Sequence, residues 1–273
     1  MSDSGKMSAV SAMSEVSAAN KTSAASENIA DRPADDLPDG LPGRESSVIP
    51  GRFGDPLTVE HARFSQFFDC SYFRDEPVFL LLHGWGSDEN DMALFFSEYL
   101  NFPADYVSLR APMQIPDFIG NTWFHECVPS GEDLDRDAYA AARAIDKWVV
   151  KNTEIIGSGR KIIPLGFSQG GTLAVSLLRI APERYFAAAS LSGFKAPGIV
   201  AEASPADSRL SAMKKPVFYG YGNSDNVISP DILRETGQWI ELNAAADVHE
   251  YSMVHEICSK ECSDLRSWFR SIL

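Results

Sequence analysis

The stretch Lys161-Ile162-Ile163-Pro164-Leu165-Gly166-Phe167-Ser168-Gln169-Gly170-Gly171 restricts the folds open to this chain more than any other. A short apolar run ends in Gly-x-Ser-x-Gly, and Thr172 to Ala181 reads as a helix. A strand that becomes a helix with one serine at the junction must turn sharply. A side chain at Gly166 or Gly170 would strike neighbouring backbone in such a turn. The turn lifts the serine hydroxyl above the sheet, and the helix N-terminus behind it offers unpaired N–H groups to developing negative charge. Gly and Ser are common enough that the pentapeptide alone recurs by chance. Its meaning depends on its surroundings.

Those surroundings alternate strand and helix from about Val59 onward. Pro77 to Leu82 is a continuous apolar run ending at His83-Gly84, as expected of a buried parallel strand. Asp91 to Leu100 reads as a helix and Tyr106 to Leu109 as the next strand. An irregular stretch, Met113 to Ser130, follows. Ser130 with Asp133 three residues on resembles a capping box, opening a helix to about Lys151 with Leu134, Ala141, Ala144, Ile145, Trp148 and Val149 on its buried face. After the serine come strands at Phe186–Leu191 and Pro216–Tyr219 and a helix entered through Ser229-Pro230. An alternating strand spans Val248–Met253, and Ser259 caps a terminal helix. The pattern predicts an α/β fold: one domain over 59–273, with a mostly parallel central sheet and helices on both faces. Ligands of such sheets bind at the carboxyl ends of the strands.

Residues 1–50 differ in kind. They are rich in Ser and Ala, then Asp, Pro and Gly, and nearly lack large apolar side chains, so the expectation is a disordered tail. The best candidate for a signal peptide, Met7 to Met13, is interrupted by Ser8 and Ser11, and no run approaches a membrane span. A net charge of -14 argues against nucleic acid or anionic membrane as partners. Cys70, Cys127, Cys258 and Cys262 read as reduced structural thiols of a cytoplasmic protein. Cys258 and Cys262 lie one helical turn apart with no second pair spaced for zinc, so no metal is expected.

A serine nucleophile needs an imidazole to take its proton and an acid to orient that imidazole. Behind a strand–serine–helix elbow these follow in the order Ser, Asp or Glu, His. Asp225, in a turn directly after a strand, is the candidate acid; Asp231, its rival, sits in the first turn of a helix, where it serves the dipole. Of five histidines, only His255 lies in a loop after the last strand. Cys258 is near enough to suggest a Cys–His pair, which a complete serine machine makes superfluous. The oxyanion donors by position are the backbone N–H groups of Gln169, following the serine, and Trp85, in the loop after His83-Gly84. Ile115, Phe118, Trp123 and Phe124 are candidates for an apolar acyl pocket, though they suit the packed underside of a long loop equally well.

His83-Gly84-Trp85-Gly86-Ser87-Asp88-Glu89-Asn90-Asp91, Leu109-Arg110-Ala111-Pro112, Trp123-Phe124 and Gly166-Phe167-Ser168-Gln169-Gly170-Gly171 together resemble the phospholipase/carboxylesterase family of α/β-hydrolases. That family includes acyl-protein thioesterases and small bacterial carboxylesterases. Gly222-x-x-Asp225 and His255-Glu256-Ile257 complete the set, and the likeness covers roughly 62–273. It implies a single-domain serine hydrolase of acyl esters or thioesters, without metal or cofactor. It carries over Ser168, Asp225 and His255 as the triad, with Trp85 and Gln169 as oxyanion donors. The chain departs from the family at Val254, where Gly is frequent and a stiffer loop results, and at Trp85, where a small aliphatic residue is frequent. Trp85 brings a bulky ring to the acyl site, which shortens the chain that fits. The alternatives are a peptidase or lactone hydrolase on the same scaffold, or a non-catalytic binding module. An apolar patch on this fold leaves room for a homodimer.

Overall fold

The computed structural model describes residues 56–66, 68, 76–200 and 205–273. The expected disordered tail and Cys70 lie outside the described residues. The chain forms β1 (Ala62–Phe64), β2 (Val78–Leu82), α1 (Glu89–Leu94), β3 (Asp105–Leu109), β4 (Met113–Gln114) and β5 (Asn121–Thr122). It continues with α2 (Gly131–Lys151), α3 (Thr153–Ile156), β6 (Ile162–Phe167), α4 (Gln169–Ile180), β7 (Ala188–Leu191) and α5 (Asp207–Met213). The last elements are β8 (Pro216–Gly222), α6 (Pro230–Asn243), β9 (Ala245–Tyr251) and α7 (Ser259–Ile272).

One seven-stranded sheet runs in the order β1-β3-β2-β6-β7-β8-β9. Every pairing is parallel except β1 against β3, and β4 and β5 form a separate small hairpin. The continuous apolar run of β2 follows from burial on both faces. Val78, Leu80 and Leu82 face one core cluster with Leu134, Ile145 and Leu173, whereas Phe79 and Leu81 face the other with Phe96, Leu265 and Phe269. Each half-core is closed by its own helices, and the loops at the carboxyl ends of β8 and β9 carry the candidate site residues Asp225 and His255.

Local chemistry departs from expectation at several element ends. The helix expected over 91–100 begins at Glu89, where Asp88 Oδ1 accepts the Asn90 N–H (2.8 Å), and changes to a π-helical stretch over Phe95–Leu100. Ser130 is the N-cap of α2, but no side-chain bond closes the expected capping box; its carbonyl accepts the Leu134 N–H (3.2 Å). The cap of α7 is Cys258 and not Ser259: the Cys258 Sγ accepts the Glu261 N–H at 3.5 Å. β9 starts three residues earlier than its alternation suggests, because an edge strand keeps polar side chains on both faces.

Glu261 is fully buried in the first turn of α7, where its carboxyl lies against Gly220 of β8 without a hydrogen-bond partner for either oxygen. Burial is the main cause that raises its pKa from 4.5 to about 8, the Cys258 contact opposing and Asp264 reinforcing it. The native state therefore holds a proton that the unfolded chain releases above about 4.5. Stability from this group is present in acid and declines as pH rises towards about 8. Glu261→Gln removes the titration. Its thermal midpoint relative to the parent is expected to be higher at pH 8 than at pH 5, by the equivalent of about 3–4 kcal/mol. An equal offset at both pH values would show that Glu261 is ionised in the fold.

Candidate active site

The elbow forms where β6 passes into α4. Ser168 sits at φ 55°, ψ −117°, in the left-handed region that costs a non-glycine residue about 1–3 kcal/mol. Two backbone bonds hold it there: its N–H donates to Leu191 O (2.8 Å), and its carbonyl accepts the Thr172 N–H (3.0 Å). The flanking glycines are required by close approach. A Cβ at Gly166 would fall on the Gly170 backbone, and one at Gly170 on the Leu82 carbonyl of β2.

Asp225 and His255 come from the loops after β8 and β9, neighbouring parallel strands whose last residues, Gly222 and Tyr251, are in register. Past the sheet the two loops stay joined, with Asn223 N–H donating to Tyr251 O (2.9 Å) and Ser224 N–H to Met253 O (3.2 Å). This brings Asp225 Oδ2 to 2.7 Å from His255 Nδ1, both side chains being buried. The other carboxylate oxygen accepts the Val227 and Ile228 N–H groups at 2.8 Å each. Burial acts to raise the Asp225 pKa, but the hydrogen bonds from His255, Ile228 and Val227 outweigh it and hold the carboxyl below its ordinary range. An ionised Asp225 keeps the proton on Nδ1 and leaves the Nε2 lone pair able to accept one. The His255 ring packs 4.8 Å from that of Phe167, the residue before Ser168.

The rejected candidates are engaged elsewhere. Asp231 pairs with Arg234 on the exposed side of α6 (2.7 Å). His125 is held by Asp137 (2.7 Å), and His249 stacks on Phe218 and Tyr251. Among the described residues, no group of three His, Cys, Asp or Glu side chains is placed to hold a metal ion.

The loop after β2 faces the elbow. Gly86 N–H is taken by Asn121 O and Asn121 N–H by Ser87 O (both 2.9 Å), which ties the loop to the β4–β5 hairpin. Among the described residues, the N–H groups of Trp85 and Gln169 meet no protein acceptor. His83, not assigned a role from sequence, braces this loop. Its Nδ1–H donates to Gly84 O (2.7 Å) and its Nε2 accepts the Ala111 N–H (2.9 Å), which fixes the neutral tautomer. Burial, only partly opposed by the Gly84 bond, lowers its pKa to about 4. A polar residue ending an apolar strand is the one sequence signal that marks it.

The expected pocket wall needs correction. Trp123 and Phe124 have no exposed surface and belong to the core; the Trp123 indole N–H donates to His83 O (3.0 Å). They are the packed underside of the loop. Ile115 and Phe118 instead line an open hollow of ≈ 380 Å³ at the hairpin tip, together with Gln114, Pro116, Asp117 and Ile119. Trp85, 40% exposed, stacks on Phe118 with ring centroids 5.6 Å apart.

Comparison with known proteins agrees with this architecture. Residues 69–273 match the family model described as Phospholipase/Carboxylesterase. Acyl-protein thioesterase 1 of Saccharomyces cerevisiae is 26% identical over 208 residues, covering 70% of this chain and 87% of that protein. Among solved structures, esterase PE8 superposes with a TM-score of 0.63 at 22% identity, covering 80% of this chain and 99% of the other. The Bacillus cereus carboxylesterase gives 0.61 at 22%, covering 78% and 94%. Zea mays acyl-protein thioesterase 2 gives 0.60 at 16%, covering 77% and 98%. At these identities the superpositions establish a shared fold, whereas the family match spans most of the chain and every motif assembled above. The chain belongs to the phospholipase/carboxylesterase family of hydrolytic enzymes.

Proposed function

We propose that the protein hydrolyses carboxylic esters or thioesters by a double displacement at Ser168, with His255 as base and Asp225 as its orienter. The observation that carries this reading is the 2.7 Å Asp225–His255 pair at the same sheet edge as the strained Ser168 elbow. His255 Nε2 takes the hydroxyl proton as Ser168 Oγ bonds to the acyl carbon. The carbonyl electrons move onto oxygen, which the Trp85 and Gln169 N–H groups receive. Collapse of the tetrahedral species expels the alkoxide or thiolate, protonated by the imidazolium. Water then repeats the sequence on the acyl-enzyme, with His255 again the base, and frees the acid.

Two features bear on substrate and setting. A residue whose N–H faces the oxyanion has its Cα within about 4–5 Å of that oxygen, so its side chain borders the bound acyl group. The Trp85 ring is held by Phe118 and stops long chains. A cytoplasmic setting accords with the free thiols of Cys127, Cys258 and Cys262. Among the described residues, no helix is long and apolar enough to cross a membrane.

The test is labelling by a fluorophosphonate, followed by a chain-length series of nitrophenyl esters beside peptide and lactone substrates. Labelling at Ser168 and a preference for short acyl esters are expected, and Trp85→Leu should move the optimum to longer chains by roughly tenfold in kcat/KM. Folded protein that resists the label would refute the mechanism. An unmoved optimum in Trp85→Leu would remove the ring from the acyl site.

A further inference from the structure

Gln169 supplies more than a backbone N–H. Its side chain is fully buried at the start of α4, and its carboxamide uses every hydrogen-bonding position it has. Oε1 accepts the Trp123 N–H at 3.1 Å and lies 3.0 Å from Thr122 Oγ1, whose proton it shares with Phe124 O (2.7 Å). Nε2 donates to Glu126 O at 3.0 Å and Cys127 O at 3.1 Å. Four bonds from one amide thus hold 122–127, a segment with little regular structure of its own.

That segment also reaches the opposite donor. The Trp123 indole N–H donates to His83 O, and the two rings pack 5.4 Å apart. His83 in turn fixes Gly84, the residue before Trp85. A continuous path therefore runs from the Gln169 amide through Trp123 and His83 to the loop bearing Trp85. Each link is buried and bonded, so the path is stiff.

We infer that the Gln169 carboxamide is a positioning group that sets the spacing between the two oxyanion donors, its own N–H and that of Trp85. The inference rests on the acyl-transfer reading above. A pair of donors stabilises the tetrahedral oxyanion only when both lie at hydrogen-bond distance at once, and that demand is sharper in the transition state than in the bound ester. Loosening the path therefore lowers kcat and leaves KM nearly unchanged.

Gln169→Met tests this, because it keeps the backbone N–H and most of the volume while removing all four side-chain bonds. With a nitrophenyl butyrate substrate, kcat is expected to fall about 100-fold with KM within about twofold. Inhibition by an alkylboronic acid, whose adduct with Ser168 mimics the tetrahedral species, should weaken by a similar factor. A folded variant with unchanged kcat and unchanged boronic acid inhibition overturns the inference, and so does a rise in KM alone. Should Gln169→Met not fold, Thr122→Val removes one contact to Oε1 and is expected to lower kcat about threefold to tenfold at constant KM; an unchanged kcat in it overturns the inference equally. Failure of the parent protein to react with a fluorophosphonate at Ser168 sinks the acyl-transfer reading instead, which keeps the two failures apart.

Discussion

Ser168→Ala is expected to lower ester turnover by at least ~10⁴-fold, His255→Ala to do the same, and the double variant to fall little further. In the proposed mechanism the two groups share one event. Without the imidazole the Ser168 hydroxyl keeps its proton, and without the hydroxyl His255 has nothing to activate in the first step. Each single change thus forfeits the whole nucleophilic route, about 5 kcal/mol or more of barrier reduction. The donors remain in both variants, so a residue of rate above water is expected from them. Steady-state kinetics on a nitrophenyl ester decides the matter. Losses that multiply in the double variant would mean the two side chains act independently, and near-parental activity in Ser168→Ala would remove the serine from the mechanism.

Gly170→Ala should be among the most damaging small substitutions at the described glycines. Its new methyl group would be driven into the carbonyl oxygens of Leu82 and His83, which are backbone of a neighbouring strand and cannot swing aside. Either the end of β2 is displaced, carrying Trp85 with it, or the elbow unwinds. Backbone collisions of this kind exceed about 4 kcal/mol, a large part of the 5–15 kcal/mol that holds a domain together. Gly131→Ala provides the contrast. That glycine has φ +56° but nothing within 4 Å of its would-be Cβ, so only conformational strain of about 1 kcal/mol applies. Urea titration of both variants measures the difference. Equal midpoints would mean that the elbow yields more readily than its contacts imply.

Much of this architecture was legible because it is written in local pattern. Apolar runs such as Val78–Leu82 identify buried strands wherever they occur, and the order Ser168, Asp225, His255 needs only chain sequence and strand ends. What escaped was set by partners distant in the chain. β1 has three residues and no pattern beyond its pairing with β3. Trp123 and Phe124 carry the same composition whether they border a pocket or fill a core, and only the indole bond to His83 O decides it. The carboxamide of Gln169 was hidden for the same reason: all four of its partners lie over forty residues away, in the end of β5 and the irregular loop after it. Cys258 took the cap expected of Ser259 because the helix starts at Ser259 itself, one residue earlier than a Ser259 cap would require.

The proposed acid and base, Asp225 and His255, lie in the loops that follow β8 and β9 at one end of the sheet, while the proposed nucleophile, Ser168, follows β6. During synthesis, Ser168 leaves the ribosome with its elbow motif complete long before His255 exists. Domains tend to fold as units once their segments are available, and in the proposed mechanism the loop after the final strand supplies the group that makes the serine reactive. The nascent chain therefore carries an inert hydroxyl through the crowded environment of translation. On that mechanism chemical competence arrives only once β9 has joined the sheet, so reactivity at Ser168 would double as a signal that the whole catalytic domain has been made and folded.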